Sequence, residues 1–209
     1  MKVAFLQHGI TKDDLSLWLN RRELDFVAVG PMPELESMTA DGSAYRVTAK
    51  EVRNTGLPRF DRLLAEGRRY PTNLRDLVIV APTWRNSLAV PLRRGSQRRS
   101  VNDAFWESDY VRNWGAFMRS PLIAAAVERK GLRLGFMPHP NFQSVLSQFD
   151  LPAAVVPLSY ADTDIQALYA RCALLVTDYS SVAFDLAYLD RPVVYFQFDQ
   201  EAMFGGSHV

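Results

Sequence analysis

Ser180 and Ser181 sit between an apolar run, Leu174-Leu175-Val176, and a helical pattern in which Val182, Leu186 and Leu189 recur on one face. A strand that turns through serines into a helix presents hydroxyls and free N–H groups beyond the end of a sheet, and such a mouth suits a pyrophosphate. Thr177 and Asp178 precede the serines, and Asp185 lies one turn further in, within reach of a ribose hydroxyl. The plainer reading is that Ser180 caps a helix, since serine is a preferred cap. Both readings stand on these residues alone.

Two further positions carry reactive groups just past apolar runs. His139 is held between Pro138 and Pro140 after Leu132–Met137, so its backbone is rigid. Arg85 follows Leu77–Ala81 through Pro82-Thr83-Trp84, where its fork either grips an anion or forms a surface ion pair. His8, before Gly9, follows a short run, Val3–Leu6, that reads as a buried strand. A lone histidine there is either structural or functional.

These groups need a frame, and the chain alternates strand and helix throughout. Runs at 3–6, 26–29, 52–55, 77–81, 132–137, 153–156, 174–176 and 193–196 read as strands, the last as a strand buried in a parallel sheet. Helical spacing falls between them. It is clearest at Phe105, Trp106, Tyr110, Trp114 and Phe117, an aromatic stripe that reads as core or as an inter-domain contact, and in 162–171, capped by Asp162 or Thr163. Asp190-Arg191-Pro192 ends the helix after the serines. The right half is expected to be a doubly wound sheet of about five parallel strands. His139, Arg85 and Ser180-Ser181 all fall at carboxyl ends of its strands, where ligands bind in such sheets.

Composition narrows the class. With 209 residues and 48% hydrophobic content the chain can bury a core, and a net charge of +1 offers no general attraction to nucleic acid. No apolar run reaches the roughly 18 residues of a membrane span, and the first residues lack the regions of a secretory signal. Cys172 has no second cysteine to pair with, and neither a metal cage nor a glycine-rich dinucleotide fingerprint is present. Arg93, Arg94, Arg98 and Arg99 lie in a polar run, 91–100, that reads as a mobile loop.

Five motifs in one order carry a resemblance: QHGITKDDLS from Gln7, TGLPRFD from Thr55, APTWRNSL from Ala81, His139-Pro140, and TDYSSVAFD from Thr177. Together they resemble the CDP-glycerol glycerophosphotransferase family of teichoic-acid and capsular polymer synthesis. The resemblance implies a GT-B-like α/β fold of Rossmann-like domains. It implies a bacterial enzyme that transfers glycerol phosphate or ribitol phosphate from CDP-glycerol or CDP-ribitol to an undecaprenyl-linked polymer acceptor, releasing CMP. The work would be done peripherally at the cytoplasmic face of the membrane, without nucleic acid and without metal or other cofactor. By the same resemblance, His8 is the catalytic base, His139 the second catalytic histidine at the donor phosphates, Ser180 and Ser181 the pyrophosphate holders and Asp185 the ribose contact. Arg85, Thr177 and Asp178 join the substrate-binding set.

On this reading residues 1–30 are the remnant of an acceptor-side domain, and 31–209 form a donor-binding domain truncated at its C-terminus, so the chain is a fragment that binds donor weakly without turnover. Two alternatives are a CMP-sugar glycosyltransferase of sialyltransferase type, against which TGLPRFD and APTWRNSL argue, and a non-catalytic nucleotide-binding module.

Overall fold

The computed structural model describes residues 1–10, 14–90 and 100–205. The chain forms two compact units, Met1–Glu66 and Gly67–Val209. In the first, β1 (Ala4–Phe5), α1 (Ser16–Leu19), β2 (Phe26–Val29), α2 (Met32–Thr39), β3 (Val52–Asn54) and the start of α3 (Arg59–Arg68) follow one another. The strands form a parallel sheet in the order β1-β2-β3. β3 therefore lies in the same sheet as β1 and β2, and residues 1–66 cluster as one unit. Val27 and Val29 pack with Leu19, Met38 and Val52 beneath the sheet. The first strand is less buried than its composition suggests: Val3 and Leu6 are 37% and 49% exposed.

The second unit runs β4 (Leu77–Val80), α4 (Asp109–Arg119), α5 (Pro121–Arg129), β5 (Arg133–Phe136), a 3-10 segment Pro140–Gln148, β6 (Val155–Pro157), α6 (Ile165–Ala170), β7 (Cys172–Thr177), α7 (Val182–Tyr188), β8 (Val193–Tyr195) and α8 (Gln200–Phe204). Its five strands are all parallel, in the order β6-β5-β4-β7-β8. All four residues of the central strand β4 are buried, because helices cover both faces of a parallel sheet. Val78 and Val80 join Tyr110, Trp114, Phe136 and Phe142 in one aromatic core, while Ile79 between them is sealed on the opposite face.

Local chemistry explains the ends of these elements. Ser108 caps α4 by accepting from the Val111 amide at 3.3 Å, and Tyr110, Trp114 and Met118 then fall on its buried stripe. Asp164, rather than Asp162 or Thr163, caps α6, accepting from the Gln166 and Ala167 amides. After α5, Gly131 takes a φ of +64° while its amide reaches Glu128 and that of Leu132 reaches Val127, closing the helix in a left-handed turn. The strand read as buried, β8, is the sheet edge, with Val194 and Tyr195 48% and 56% exposed. The polar run 91–99 and His208 lie outside the described residues. Among those described, no helix is long and apolar enough to cross a membrane.

Candidate functional site

The strand order of the second unit contains a switch point. Its chain leaves β4 toward β5 and β6 on one side, then returns to place β7 and β8 on the other. A crevice opens outside the carboxyl ends of the strands at such a reversal. The segments that leave those ends at β4, β5 and β7 are Ala81–Arg85, Met137–His139 and Asp178–Ser181.

His139 occupies the cap position of the 3-10 segment, where its Nδ1 accepts from the Asn141 amide at 3.2 Å. In the neutral ring that bond leaves the proton on Nε2. The imidazole stacks on Trp84, with ring centroids 5.9 Å apart and planes inclined by 25°. It is half-buried.

Across the switch point, the Ser180 hydroxyl accepts from the Val182 amide at 3.3 Å, and the Ala183 and Phe184 amides are taken by the carbonyls of Ser180 and Ser181. The amides of Val182, Ala183 and Phe184 are therefore engaged within the turn. Ser181 is exposed and its hydroxyl caps nothing.

Arg85, Thr177 and Asp178 are placed at the mouth but directed into the protein. The Thr177 hydroxyl donates to the Ala81 carbonyl at 2.7 Å, tying β7 to the end of β4. Asp178 is wholly buried; one carboxylate oxygen accepts from the amides of Thr83 and Tyr179, and the other from Arg85 at 2.7 Å. Arg85 itself is buried between Asp178 and Asp199, with Nη1 donating to the Thr83 carbonyl at 2.7 Å. Burial alone would lower the guanidinium's pKa, but the Asp199 and Asp178 carboxylates outweigh it and raise the value. These three residues shape the mouth through bonds made within the protein.

Asp185, on α7, is buried, 4% exposed. Its charge is felt by Tyr160: burial pushes that phenol up, a hydrogen bond with Tyr169 opposes the rise, and Asp185 adds to it.

His8 lies in the first unit, just beyond β1, and is exposed. Its carbonyl accepts from Arg59 of the TGLPRFD motif, while Gln7, at a φ of 55°, donates to Glu34 at 3.0 Å. Glu34 also accepts from the Gly30 amide at the end of β2. The backbone around the imidazole is thus pinned from two neighbouring elements.

Sequence reasoning missed Asp199 and Tyr179. The Tyr179 hydroxyl donates to Asp199 at 3.3 Å, and burial, then the Asp199 charge, push its phenol up to about 12. The hint in the sequence was an acidic residue closing the aromatic run Tyr195–Phe198, at the carboxyl end of the last strand. Among the described residues no group of three or more His, Cys, Asp or Glu could hold a metal.

Comparison with known proteins gives this arrangement a context. The chain is 29% identical over 203 residues to the minor teichoic acid biosynthesis protein GgaB of Bacillus subtilis (strain 168), covering 96% of this chain and 21% of that protein. It is 28% identical over 189 residues to a teichoic acid glycerol-phosphate transferase of Staphylococcus aureus (strain NCTC 8325 / PS 47), covering 82% and 41%. The chain therefore spans less than half the length of either relative. A structure of a variant of the wall teichoic acid polymerase TagF soaked with CDPG superposes with a TM-score of 0.55 at 20% identity, covering 91% of this chain and 44% of that one. Likeness at that identity speaks to fold, and it agrees with the GT-B-like, Rossmann-like α/β expectation. The model of the CDP-glycerol:poly(glycerophosphate) glycerophosphotransferase family matches residues 3–203, nearly the whole chain, and the protein belongs to that family.

Proposed function

We propose that the second unit binds the CDP end of CDP-glycerol, and that the protein containing it transfers glycerol phosphate to a growing polymer. The observation that carries this reading is the coincidence of a family match over residues 3–203 with His139, Ser180 and Ser181 at carboxyl strand ends around the switch point. The Ser180 and Ser181 hydroxyls face the pyrophosphate. The His139 Nε2–H lies toward the donor phosphates and donates a hydrogen bond that stabilises the charge developing as the bond to the leaving CMP breaks.

In the full reaction the terminal hydroxyl of the acceptor attacks the phosphorus that bears glycerol. A P–O bond forms to that oxygen, the P–O bond to CMP breaks, and the hydroxyl proton passes to His8. Such in-line transfer asks of the protein mainly positioning, a base and charge neutralisation. An imidazole is suited to the base role near neutral pH. We assign an undecaprenyl-linked polymer as acceptor and the inner face of the membrane as the place of work, with ribitol as the other alditol the site could carry. In domain terms, residues near His8 serve the acceptor side and the second unit serves the donor.

Calorimetric titration of the purified chain with CDP-glycerol, CDP-ribitol, CMP and UDP-glucose tests the donor assignment. Cytidine-selective binding, weakened about tenfold in Ser181→Ala and in His139→Ala, is the expected result. Equal affinity for UDP-glucose, or none for any nucleotide from a folded chain, would overturn it.

A further inference from the structure

Trp84, which carries the ring stacked on His139, is flanked on both sides by pinned residues. The Thr83 amide donates to Asp178 at 2.8 Å, and the Thr83 carbonyl accepts from Arg85. Arg85 is in turn gripped side-on by Asp199, with Nε to Oδ2 at 2.8 Å and Nη2 to Oδ1 at 3.1 Å. The same Nη2 donates to Asp178, and the rings of Tyr110 and Tyr179 lie 5.5 and 5.3 Å from the guanidinium carbon. Arg85 cannot turn without breaking several charge-assisted bonds at once. On the other side of the crevice Tyr179 is held at both ends, its amide by Asp178 and its hydroxyl by Asp199. Ser180 is the next residue.

We propose that Asp199 is a positioning residue for the donor site. Together with Asp178 it fixes Arg85, and through Arg85 and Tyr179 it holds Trp84 against His139 and sets the turn that carries Ser180 and Ser181. The inference rests on the donor reading of those residues. A carboxylate is required at this position, because an amide would turn N–H groups toward a guanidinium that itself only donates. Its effect is carried by the two segments it joins.

The test uses the whole chain and a readout that is independent of ligand. The sequence holds three histidines, so the ring C–H resonances of His139 and His8 can be assigned by His139→Ala and His8→Ala. Trp84→Ala removes the indole ring current and gives the shift that marks loss of the stack. In Asp199→Ala and Asp199→Asn the His139 resonances are expected to move in that same direction while those of His8 stay put. CDP-glycerol affinity is expected to fall about tenfold in both.

A folded Asp199→Ala chain whose His139 resonances match the parent overturns the proposal, as does a Trp84→Ala spectrum in which His139 is unmoved. Should Asp199→Ala fail to fold, Arg85→Lys, which keeps the charge and loses the fork, reads the same displacement and decides the question. A parent chain that binds no CDP-glycerol would overturn the donor reading, and the resonance comparison would still judge the positioning role.

Discussion

Asp76 and Arg171 meet at the amino end of the second sheet through two side-chain bonds, Nη2 to Oδ2 at 2.7 Å and Nε to Oδ1 at 3.1 Å. Arg133 adds a third at 2.6 Å, so one carboxylate joins the starts of β4, β5 and β7. The ion cluster clasps the end of the sheet opposite the proposed site.

Burial pushes the Asp76 carboxyl up, but the bonds from Arg171 and Arg133 outweigh it and hold its pKa below the ordinary value. A carboxyl depressed in the folded state stabilises above its unfolded pKa of about 3.9, and that stabilisation is lost as pH falls through the folded value. Asp76→Asn should therefore be less stable than the parent by a constant margin from about pH 7 to about pH 5, and the margin should close below about pH 4. Urea unfolding across that range checks it; a margin that widens in acid would reject the assignment.

Most of the frame was legible because each strand of a buried parallel sheet is a local apolar run. Leu77–Val80, Arg133–Phe136 and Cys172–Thr177 announce themselves in this way. What a run cannot say is who its neighbours are, and so β8 read as buried when it lies at an edge. The same limit governs the site. Arg85 was found at the right strand end, but its partner Asp199 stands 114 residues away, and nothing local distinguishes a carboxylate that will meet a guanidinium from one that caps a helix. Asp185 shows the same limit: its spacing from the serines is legible, but its burial and its influence on Tyr160 are set by packing that no local pattern announces.

Cys172 offers a clean probe of native packing, since it is the sequence's single cysteine and lies wholly buried in β7. Burial pushes its thiol up to about 12, leaving almost no thiolate at neutral pH. Alkylation by iodoacetamide at pH 8 should be slower than that of the unfolded chain by at least about a hundredfold, and should track global unfolding as urea is added. Rapid labelling in the absence of urea would mean that β7 opens locally.

Asp178 is the buried joint between the ends of β4 and β7. Replacing it by Asn keeps an oxygen for the amides of Thr83 and Tyr179 but turns an N–H pair toward the Arg85 guanidinium 2.7 Å away. Breaking one arm of a buried ion pair in this way costs about 3–5 kcal/mol. Chemical denaturation of Asp178→Asn should show a loss in that range, with Asp178→Ala at least as severe because the two amides are then orphaned as well. A loss below about 1 kcal/mol would mean that Asp199 alone satisfies Arg85.

Arg191 poses the opposite problem. It is 5% exposed, yet its hydrogen bonds run to backbone carbonyls: Leu189 at 2.7 Å, Ala170 at 3.1 Å, and Gly67 and Tyr70 at 3.4 Å. Burial, and then repulsion from Arg75, hold its pKa below the ordinary arginine value, so the charge itself is poorly accommodated. Two effects therefore compete on mutation. Removing the cation relieves a buried charge, but it also strips donors from carbonyls at the ends of α6 and α7, and each carbonyl left dry costs about 1–3 kcal/mol. With several carbonyls against one charge, the orphaned acceptors win, and Arg191→Met should destabilise by about 2–4 kcal/mol although it fills similar space. Arg191→Ala should be worse, since it adds a cavity, and Arg191→Lys milder, since an ammonium reaches part of the same set but lacks the fork. Urea denaturation of the three variants should rank them Lys, Met, Ala in falling stability; a Met variant as stable as the parent would show that charge relief offsets the lost bonds.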